Sequence, residues 1–284
     1  YVTIAASDAA KLRFIQQTAE QAGTRLVGSP VDFDITATAN DFPLRLEQHK
    51  QYMEHRISLP LGMQNPITTA VRVSERGEFI PIPTRLEMKK DGSLEVVLHS
   101  FVTGTFAFIF NEIRFADVQH HWSGDAVNDL ASRMILNGRG SGKDTTSMDQ
   151  TEVVVQSFAP NAQVSRAEFA AMMVRALGLQ EGQELSAFKD VSSDAWYSGV
   201  LALASRYDLL QGYEDGSFRP DQAITRQEAM VVMARVMELT GLNRVVDENE
   251  AVFVLSSYQD HDELSARVKP AAAALVKQGI VQGD

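Results

Sequence analysis

A twelve-residue segment occurs twice in this chain, and no other feature limits the possible folds as strongly. It reads FAPNAQVSRAEF from Phe158 to Phe169 and FRPDQAITRQEA from Phe218 to Ala229. Both copies share Phe-x-Pro, then a β-branched residue, Ser or Thr, Arg, any residue and Glu. Since a repeated unit buries its apolar face against its neighbours, the repeat has to be interpreted before the fold.

Each copy predicts the start of a helix. The Ser or Thr and the Glu have the spacing of a capping box, in which the hydroxyl accepts a backbone N–H and Glu reaches back to the cap. The pairs are Ser165 with Glu168 and Thr225 with Glu228. Apolar residues then recur at helical spacing. They are Phe169, Met172, Met173, Ala176 and Leu177 in the first copy, and Ala229, Val232, Met233, Val236 and Met237 in the second. Gly178 and Gly241 follow these stripes and predict the helix ends.

A second block lies upstream and occurs three times. It begins with Phe115-Ala-Asp117, Phe188-Lys-Asp190 and Tyr258-Gln-Asp260, and it ends at Gly138, Gly212 and Gly283. The separation from Asp to Gly is 21, 22 and 23 residues, which predicts one helix of about three to four turns with its flanks. The expected buried positions are Ala126, Val127 and Leu130, then Val200, Leu201 and Ala204, then Ala271, Ala272 and Leu275. Trp122 and Trp196 mark the helix start in the first two copies, where the third has Arg267.

Each unit is therefore predicted as helix, glycine-containing loop and helix. The units span residues 114–180, 187–241 and 253–284. The loop from Gly to Ser or Thr is 13 residues long in the second unit and 27 in the first, so 139–155 contains an insertion. The third unit stops before a Phe-x-Pro, and we expect a truncated repeat with uncovered apolar surface.

At these residues the chain resembles the S-layer homology domain. That family is a triplet of units with F-x-D-V-x-x-x-W at the start, G-x-x-x-x-x-F-x-P in the loop and I-T-R-A-E at the second helix. The matching stretches are Phe115 to Trp122, Phe188 to Trp196, Gly212 to Pro220 and Ile224 to Glu228. The resemblance covers residues 114–284 and implies an all-α bundle with pseudo-threefold symmetry and grooves between adjacent units.

The resemblance also implies a ligand. Such domains attach surface proteins non-covalently to a secondary cell-wall polysaccharide, which often bears pyruvate ketals. The implied binding residues are Arg166, Arg226, Gly138, Gly212, Asp117, Asp190, Trp122 and Trp196. A guanidinium group can meet a carboxylate with two parallel hydrogen bonds, and glycine lets a ligand approach the backbone. The alternatives are that the capping residues and both arginines have only a structural role and that both tryptophans pack into the core. The insertion and the missing third arginine depart from the family pattern.

Composition excludes several classes of function. The net charge is −11, and residues 114–284 hold 15 Lys and Arg against 24 Asp and Glu, which argues against nucleic-acid binding. Without cysteine there are no disulfides or thiolate metal sites. We expect no membrane span, because no apolar run approaches 18 residues. We also expect no cofactor and no metal site, and His120-His121 is typical of a solvated pair. Gly138 to Lys143 lacks the phosphate-loop pattern. Since Tyr1 is not Met, a fragment or processed form is expected.

The N-terminal part is predicted to be β-rich, so the fold class is multi-domain α+β. Residues 31–113 show alternating Phe106, Phe108 and Phe110 and a hairpin signal at Asp91-Gly92, which favour a spacer domain resembling an antiparallel β-sandwich. Pro81 and Pro83 indicate an edge strand or an irregular strand. Residues 1–30 are predicted as strand, helix and strand, either as the rest of an α+β domain or as part of the same one. The stretch PVDFDITA from Pro30 resembles the segment that precedes the triplet in surface proteins of spore-forming Gram-positive bacteria.

The leading hypothesis is a non-enzymatic wall anchor in a secreted cell-surface or S-layer protein. Its partners would be cell-wall polysaccharide and neighbouring copies in a surface lattice. One alternative is the C-terminal anchor of a surface-attached glycan-processing enzyme whose catalytic domain lies upstream. Another is a structural self-assembly module. No catalytic triad is indicated, because His49, His55 and His99 lie in the β region without a nucleophile elbow.

Overall fold

A computed structural model describes residues 2–39, 42–45, 48–59, 66–74, 76–139, 157–179, 185–242 and 246–283. The chain divides into two compact units. The first comprises residues 1–162 with 175–179, and the second comprises residues 163–174 with 180–284. The first unit contains antiparallel sheets and helices, and the second contains helices, so the α+β class is confirmed.

Two antiparallel sheets build the first unit. The strands are β1 (Val2–Ala6), β2 (Arg25–Ala39), β3 (Phe42–Arg45), β4 (Gln48–Ser58), β5 (Thr69–Val73), β6 (Phe79–Ile82), β7 (Thr84–Met88), β8 (Leu94–Val102) and β9 (Gly104–Phe110). One sheet has the order β1-β2-β9-β5-β6, with β3 paired to β2, and the other has the order β4-β8-β7. The two strands predicted within residues 1–30 thus lie in the same sheet as β9.

The two sheets share a hydrophobic core. Phe33, Phe106 and Phe108 from the larger sheet pack with Val96 and Leu98 of β8 from the smaller one. The opposite face of β9 is also buried. There Ala107 and Ile109 pack with Ile15 of helix α1 (Ala9–Gln21). Because both faces of β9 are covered, its apolar run is continuous and does not alternate with polar residues.

Three local predictions for this unit are confirmed. Helix α1 begins after Asp8, whose carboxylate accepts the N–H groups of Ala10 and Lys11. Gly92, with φ of 81°, turns the chain between β7 and β8. Pro81 lies in β6, at the edge of the larger sheet, which is where proline is tolerated in a sheet.

The remaining helices follow the repeats. They are α2 (Gly124–Ser132), α3 (Arg166–Ala176), α4 (Ser198–Arg206), α5 (Arg226–Leu239), α6 (Glu248–Leu255) and α7 (Lys269–Lys277). Both capping boxes are confirmed, since each cap hydroxyl accepts the N–H of its glutamate and each glutamate accepts the cap N–H. Gly178 and Gly241 have φ of 64° and 73° and end the helices as predicted. Among the described residues, no helix is long and apolar enough to span a membrane.

The first helix of each repeat is shorter than predicted. Helices α2, α4 and α7 have nine residues each, which is about two and a half turns. Each is followed, two residues after its end, by a residue with left-handed backbone, namely Met134, Asp208 or Gly279. The turns at these residues end the helices early, within the Asp-to-Gly segment from which a longer helix was predicted. Of the positions predicted to be buried, Ala126 and Leu130 are exposed and Ala271 is half-buried. The others are buried as expected, namely Val127, Val200, Leu201, Ala204, Ala272 and Leu275. Helix α6 had not been predicted.

Candidate functional site

The repeat aspartates hold the Phe-x-Pro segments. The Asp190 carboxylate accepts the N–H groups of Phe218 and Arg219, both at 2.7 Å. Asp117 does the same in the first repeat, accepting the N–H of Phe158 at 3.0 Å and that of Ala159 at 2.6 Å. Desolvation raises the pKa of both carboxyls, but the amide hydrogen bonds outweigh it and hold each pKa below its usual value. Both predicted binding aspartates are therefore engaged by backbone amides.

In each repeat, one of the two residues that donate to the aspartate has an unusual backbone conformation. Ala159 and Arg219 occupy the middle of Phe-x-Pro and have φ of 59° and 58°. Residues other than glycine rarely adopt this left-handed region. The aspartate hydrogen bonds explain why it is stable here, because they fix the amide of the left-handed residue in both repeats.

The loop glycine makes room for an aromatic contact. The Phe188 ring packs on Phe218 with centroids 5.1 Å apart. A Cβ atom on Gly212 would lie 2.5 Å from Cε1 of Phe188 and 2.7 Å from the carbonyl oxygen of Ser217. A Cβ atom on Gly283 would likewise lie 2.6 Å from the Tyr258 ring. Gly212 thus faces protein atoms, and Gly138 in the first repeat is half-buried.

Arg166 lies in the interior of the second unit. Only 4% of it is exposed. Its Nε donates to the carbonyl oxygen of Phe218 at 2.9 Å, one terminal nitrogen donates to Glu228 at 2.5 Å, and the other donates to the carbonyl oxygen of Gln211 at 3.4 Å. Its guanidinium carbon lies 4.8 Å from the ring centroid of Tyr213 and 4.7 Å from that of Phe218. This arrangement favours the alternative in which Arg166 has a structural role, and its role in ligand binding stays a prediction.

Glu228 completes this cluster. Besides capping α5 and pairing with Arg166, its carboxylate accepts the Tyr213 hydroxyl at 3.1 Å. Desolvation raises the pKa of Glu228, but hydrogen bonds from Thr225 and the charge of Arg166 outweigh it and hold the pKa below its ordinary value. One carboxylate thus joins the cap of α5 to a buried arginine of the preceding repeat. The signal in the sequence for this pair of Arg166 and Glu228 was the Arg-x-Glu pattern that both repeats share.

Arg226 has an equivalent contact but a different exposure. Its terminal nitrogen donates to the carbonyl oxygen of Gln282 at 3.0 Å, and the residue is exposed. Gln282 precedes the loop glycine of the third repeat, as Gln211 precedes that of the second. Each motif arginine therefore reaches the Gln-Gly carbonyl of the following repeat.

Both tryptophans are at the surface, so the alternative that placed them in the core is wrong. Trp122 is 91% exposed and Trp196 is 60% exposed. Trp196 contacts Tyr197 edge-to-face with centroids 5.3 Å apart. Desolvation raises the pKa of the Tyr197 phenol, and so do the charges of Asp221 and Asp190 nearby. The structure thus brings Trp196, Tyr197 and Asp190 to one region of the second repeat.

Two further expectations concern the insertion and metals. Most of the insertion 139–155 and of Gly138 to Lys143 lies outside the described residues, although Arg139 pairs with Ser157 in an isolated β-bridge. In the part of the chain that the structure describes, no group of three or more His, Asp or Glu side chains is arranged to hold a metal ion.

The model of the S-layer homology domain family matches residues 114–170 and 187–230. This chain contains S-layer homology domains. A surface layer protein of Brevibacillus choshinensis is 36% identical over 28% of this chain and 8% of its own length. An amylopullulanase of Thermoanaerobacterium thermosulfurigenes is 30% identical over 60% of the chain and 8% of its own length. A cellulosome-anchoring protein of Acetivibrio thermocellus is 34% identical over 30% of the chain and 20% of its own length.

The chain therefore spans a fifth or less of the length of these relatives. The S-layer homology domains and the surface-layer relatives identify it as a secreted protein of the bacterial cell surface. They also support a role in attaching surface proteins to the cell wall.

Proposed function

We propose that this chain anchors a surface protein by binding an acidic secondary cell-wall polysaccharide with its S-layer homology repeats. The observation that carries the proposal is the exposure of Trp122 and Trp196 at equivalent positions of two repeats. Exposing a large aromatic side chain forgoes the burial that normally stabilises it. A sugar ring that stacks on the indole face would recover this burial on binding.

The rest of the proposed recognition is polar. Arg226 is exposed and can donate charge-assisted hydrogen bonds to a sugar carboxylate. The equivalent contacts of Arg166 with Gln211 and of Arg226 with Gln282 support a bundle in which successive repeats are related by pseudosymmetry. In this proposal the aspartates and loop glycines shape the Phe-x-Pro loops beside the ligand.

The test is sedimentation of the chain with purified cell walls. We expect Trp122→Ala combined with Trp196→Ala to abolish co-sedimentation while changing the free energy of unfolding by less than about 0.5 kcal/mol, as is usual at the surface. Phe253→Ala is the matched control, because Phe253 is an exposed aromatic residue of α6 that precedes the block beginning with Tyr258-Gln-Asp260. Unchanged wall binding by the double variant would refute the proposal.

The chain is proposed to act as an anchor and not as a catalyst. Several relatives, including an endo-1,4-beta-xylanase of Thermoanaerobacterium saccharolyticum with 36% identity over 41% of this chain, are named as enzymes. That similarity favours a second candidate function, in which the anchor belongs to a surface-attached glycan-processing enzyme. Assembly with neighbouring copies stays a prediction.

A further inference from the structure

The edge strand β1 leaves both its backbone and its apolar side chains open on one side. All five of its residues are exposed, with Val2 at 67% and Ile4 at 58%. We propose that β1 pairs antiparallel with the β1 of a second copy of this chain, with Ile4 opposite Ile4, so that the larger sheets of the two copies join at this edge. This inference concerns association between copies and does not depend on wall binding.

The backbone of β1 presents a row of hydrogen-bonding groups on its free side. The Ser7 N–H donates to the carbonyl oxygen of Pro30 at 3.0 Å, in line with the register of β1 on β2. Antiparallel residues point alternately toward and away from the partner strand. The N–H and C=O groups of Val2, Ile4 and Ala6 therefore point away from β2. A row of this kind can accept a further strand.

The side chains of the same residues extend an apolar face of the sheet. Ile4 lies opposite Phe33 of β2, and directly opposed residues share one face. Phe33 belongs to the core between the two sheets, so Ile4 continues the core-facing surface at the edge, where it is exposed. A strand added beside β1 would bury part of Val2 and Ile4, and burial of apolar surface is favourable.

The other edge strands carry features that discourage pairing. Natural sheets protect their edges with charged side chains or proline. The strands at the ends of the two described sheets are β1, β6, β4 and β7. Three of them contain such residues, namely Pro81 in β6, Glu54 and Arg56 in β4, and Arg85 and Glu87 in β7. With the sequence VTIAA, β1 contains neither proline nor charge.

The occupant is assigned as a second copy because the strand is complementary to itself. A two-fold axis through Ile4 places Ile4 opposite Ile4, Val2 opposite Ala6 and Thr3 opposite Ala5, so every residue has a partner and no like charges meet. The open backbone groups then form hydrogen-bonded pairs. Residues 1–113 hold 11 Lys and Arg against 13 Asp and Glu, so copies repel each other less at this part of the chain than at the acidic repeats.

The contact is expected to be weak by itself. Stable interfaces bury about 800 Å² on each partner, whereas a strand of five residues is only about 17 Å long. Association through β1 should therefore be transient in dilute solution, and the test has to trap it.

The experiment is disulfide trapping of the whole chain, which has no cysteine of its own. Ile4→Cys should form a disulfide-linked dimer on mild oxidation, because hydrogen-bonded antiparallel residues have Cα atoms about 5.5 Å apart, a distance that a disulfide bridges. Thr3→Cys and Ala5→Cys should crosslink about tenfold faster when mixed than when either is alone, since the register places them opposite each other. Met88→Cys is the control for random collision, because Met88 is 80% exposed on the edge strand β7.

A charge at position 4 tests the same pairing independently. Ile4→Lys on both chains places two ammonium groups opposite each other, so it should prevent crosslinking between Thr3→Cys and Ala5→Cys. Crosslinking should return when one chain carries Ile4→Lys and the other carries Ile4→Glu. Such a recovery shows that the variants fold, because a partner's charge cannot rescue a misfolded strand.

Each result decides the inference. Faster crosslinking of Ile4→Cys than of Met88→Cys, together with preference for the mixed pair, supports self-pairing in this register. Equal rates for Ile4→Cys and Met88→Cys would overturn it and leave the edge to a partner other than a second copy. Rapid crosslinking of Thr3→Cys alone would overturn the register. Because no cell wall is present in this experiment, its failure is distinct from failure of the proposed anchoring function.

Discussion

At the scale of single residues, Glu228 combines three separate tasks in the second unit. It caps α5, accepts the Tyr213 hydroxyl and neutralises the buried Arg166. Removing one partner of a buried ion pair costs more than the pair itself contributes, because the remaining charge is left without compensation.

Glu228→Ala is therefore expected to lower the free energy of unfolding by about 2–3 kcal/mol. Thr225→Ala removes the cap hydroxyl but keeps the Arg166 pair, and should cost only about 1 kcal/mol. Urea denaturation of both variants measures the difference. Equal losses would mean that the ion pair adds nothing beyond the cap.

The same residue predicts a pH dependence. Because the folded protein holds the pKa of Glu228 below its ordinary value of 4.5, this contribution is complete above that value and is lost as the pH falls through the lower, folded pKa. As the pH falls below 4.5, the free energy of unfolding of the unmodified chain should thus decrease more steeply than that of Glu228→Ala, as urea denaturation at each pH would measure.

At the scale of elements, the Phe-x-Pro loop depends on a glycine for a steric reason. Gly212 has no left-handed backbone, but a Cβ atom there would overlap the Phe188 ring and the Ser217 carbonyl. Gly241 is the reverse case, since its φ is 73° and nothing lies within 4 Å of the position that a Cβ atom would occupy.

Gly212→Ala should therefore cost about 1–3 kcal/mol through overpacking, and Phe188→Leu should partly relieve that cost in the double variant. Gly241→Ala is expected to cost about 1–2 kcal/mol through backbone strain, and its effect should add to that of Phe188→Leu. Double-mutant cycles by urea unfolding test this. Additivity for Gly212→Ala would contradict the ring contact.

The elements also show what the sequence alone could predict. Capping boxes, glycine stops and the Asp91-Gly92 hairpin depend on residues close in sequence, and all are confirmed. The burial of Arg166 depends on Gln211, Phe218 and Glu228, which are 45 to 62 residues away, so spacing could not reveal it. The same holds for Trp122 and Trp196, because helix-starting aromatics usually pack and only tertiary contacts decide whether they do.

At the scale of the whole molecule, the net charge of −11 sets the long-range field in which any acidic ligand must approach. Wall binding that depended on a generally basic surface would weaken with salt, because screening removes the attraction. In the proposed function the attraction is local, at exposed Arg226, whereas the net negative charge of the chain repels an anion.

Raising the ionic strength from about 0.01 M to about 0.1 M shortens the Debye length from about 30 Å to about 10 Å. Screening at this range reduces the long-range repulsion more than the contacts within hydrogen-bonding distance of a guanidinium group. We therefore expect the affinity for acidic wall-polysaccharide fragments to stay constant or increase over this interval, as measured by calorimetric titration. Reduced fragments, which lack the charge, should show no change. A marked decrease with salt for the acidic fragments would show that diffuse attraction dominates, against the local recognition proposed for these repeats.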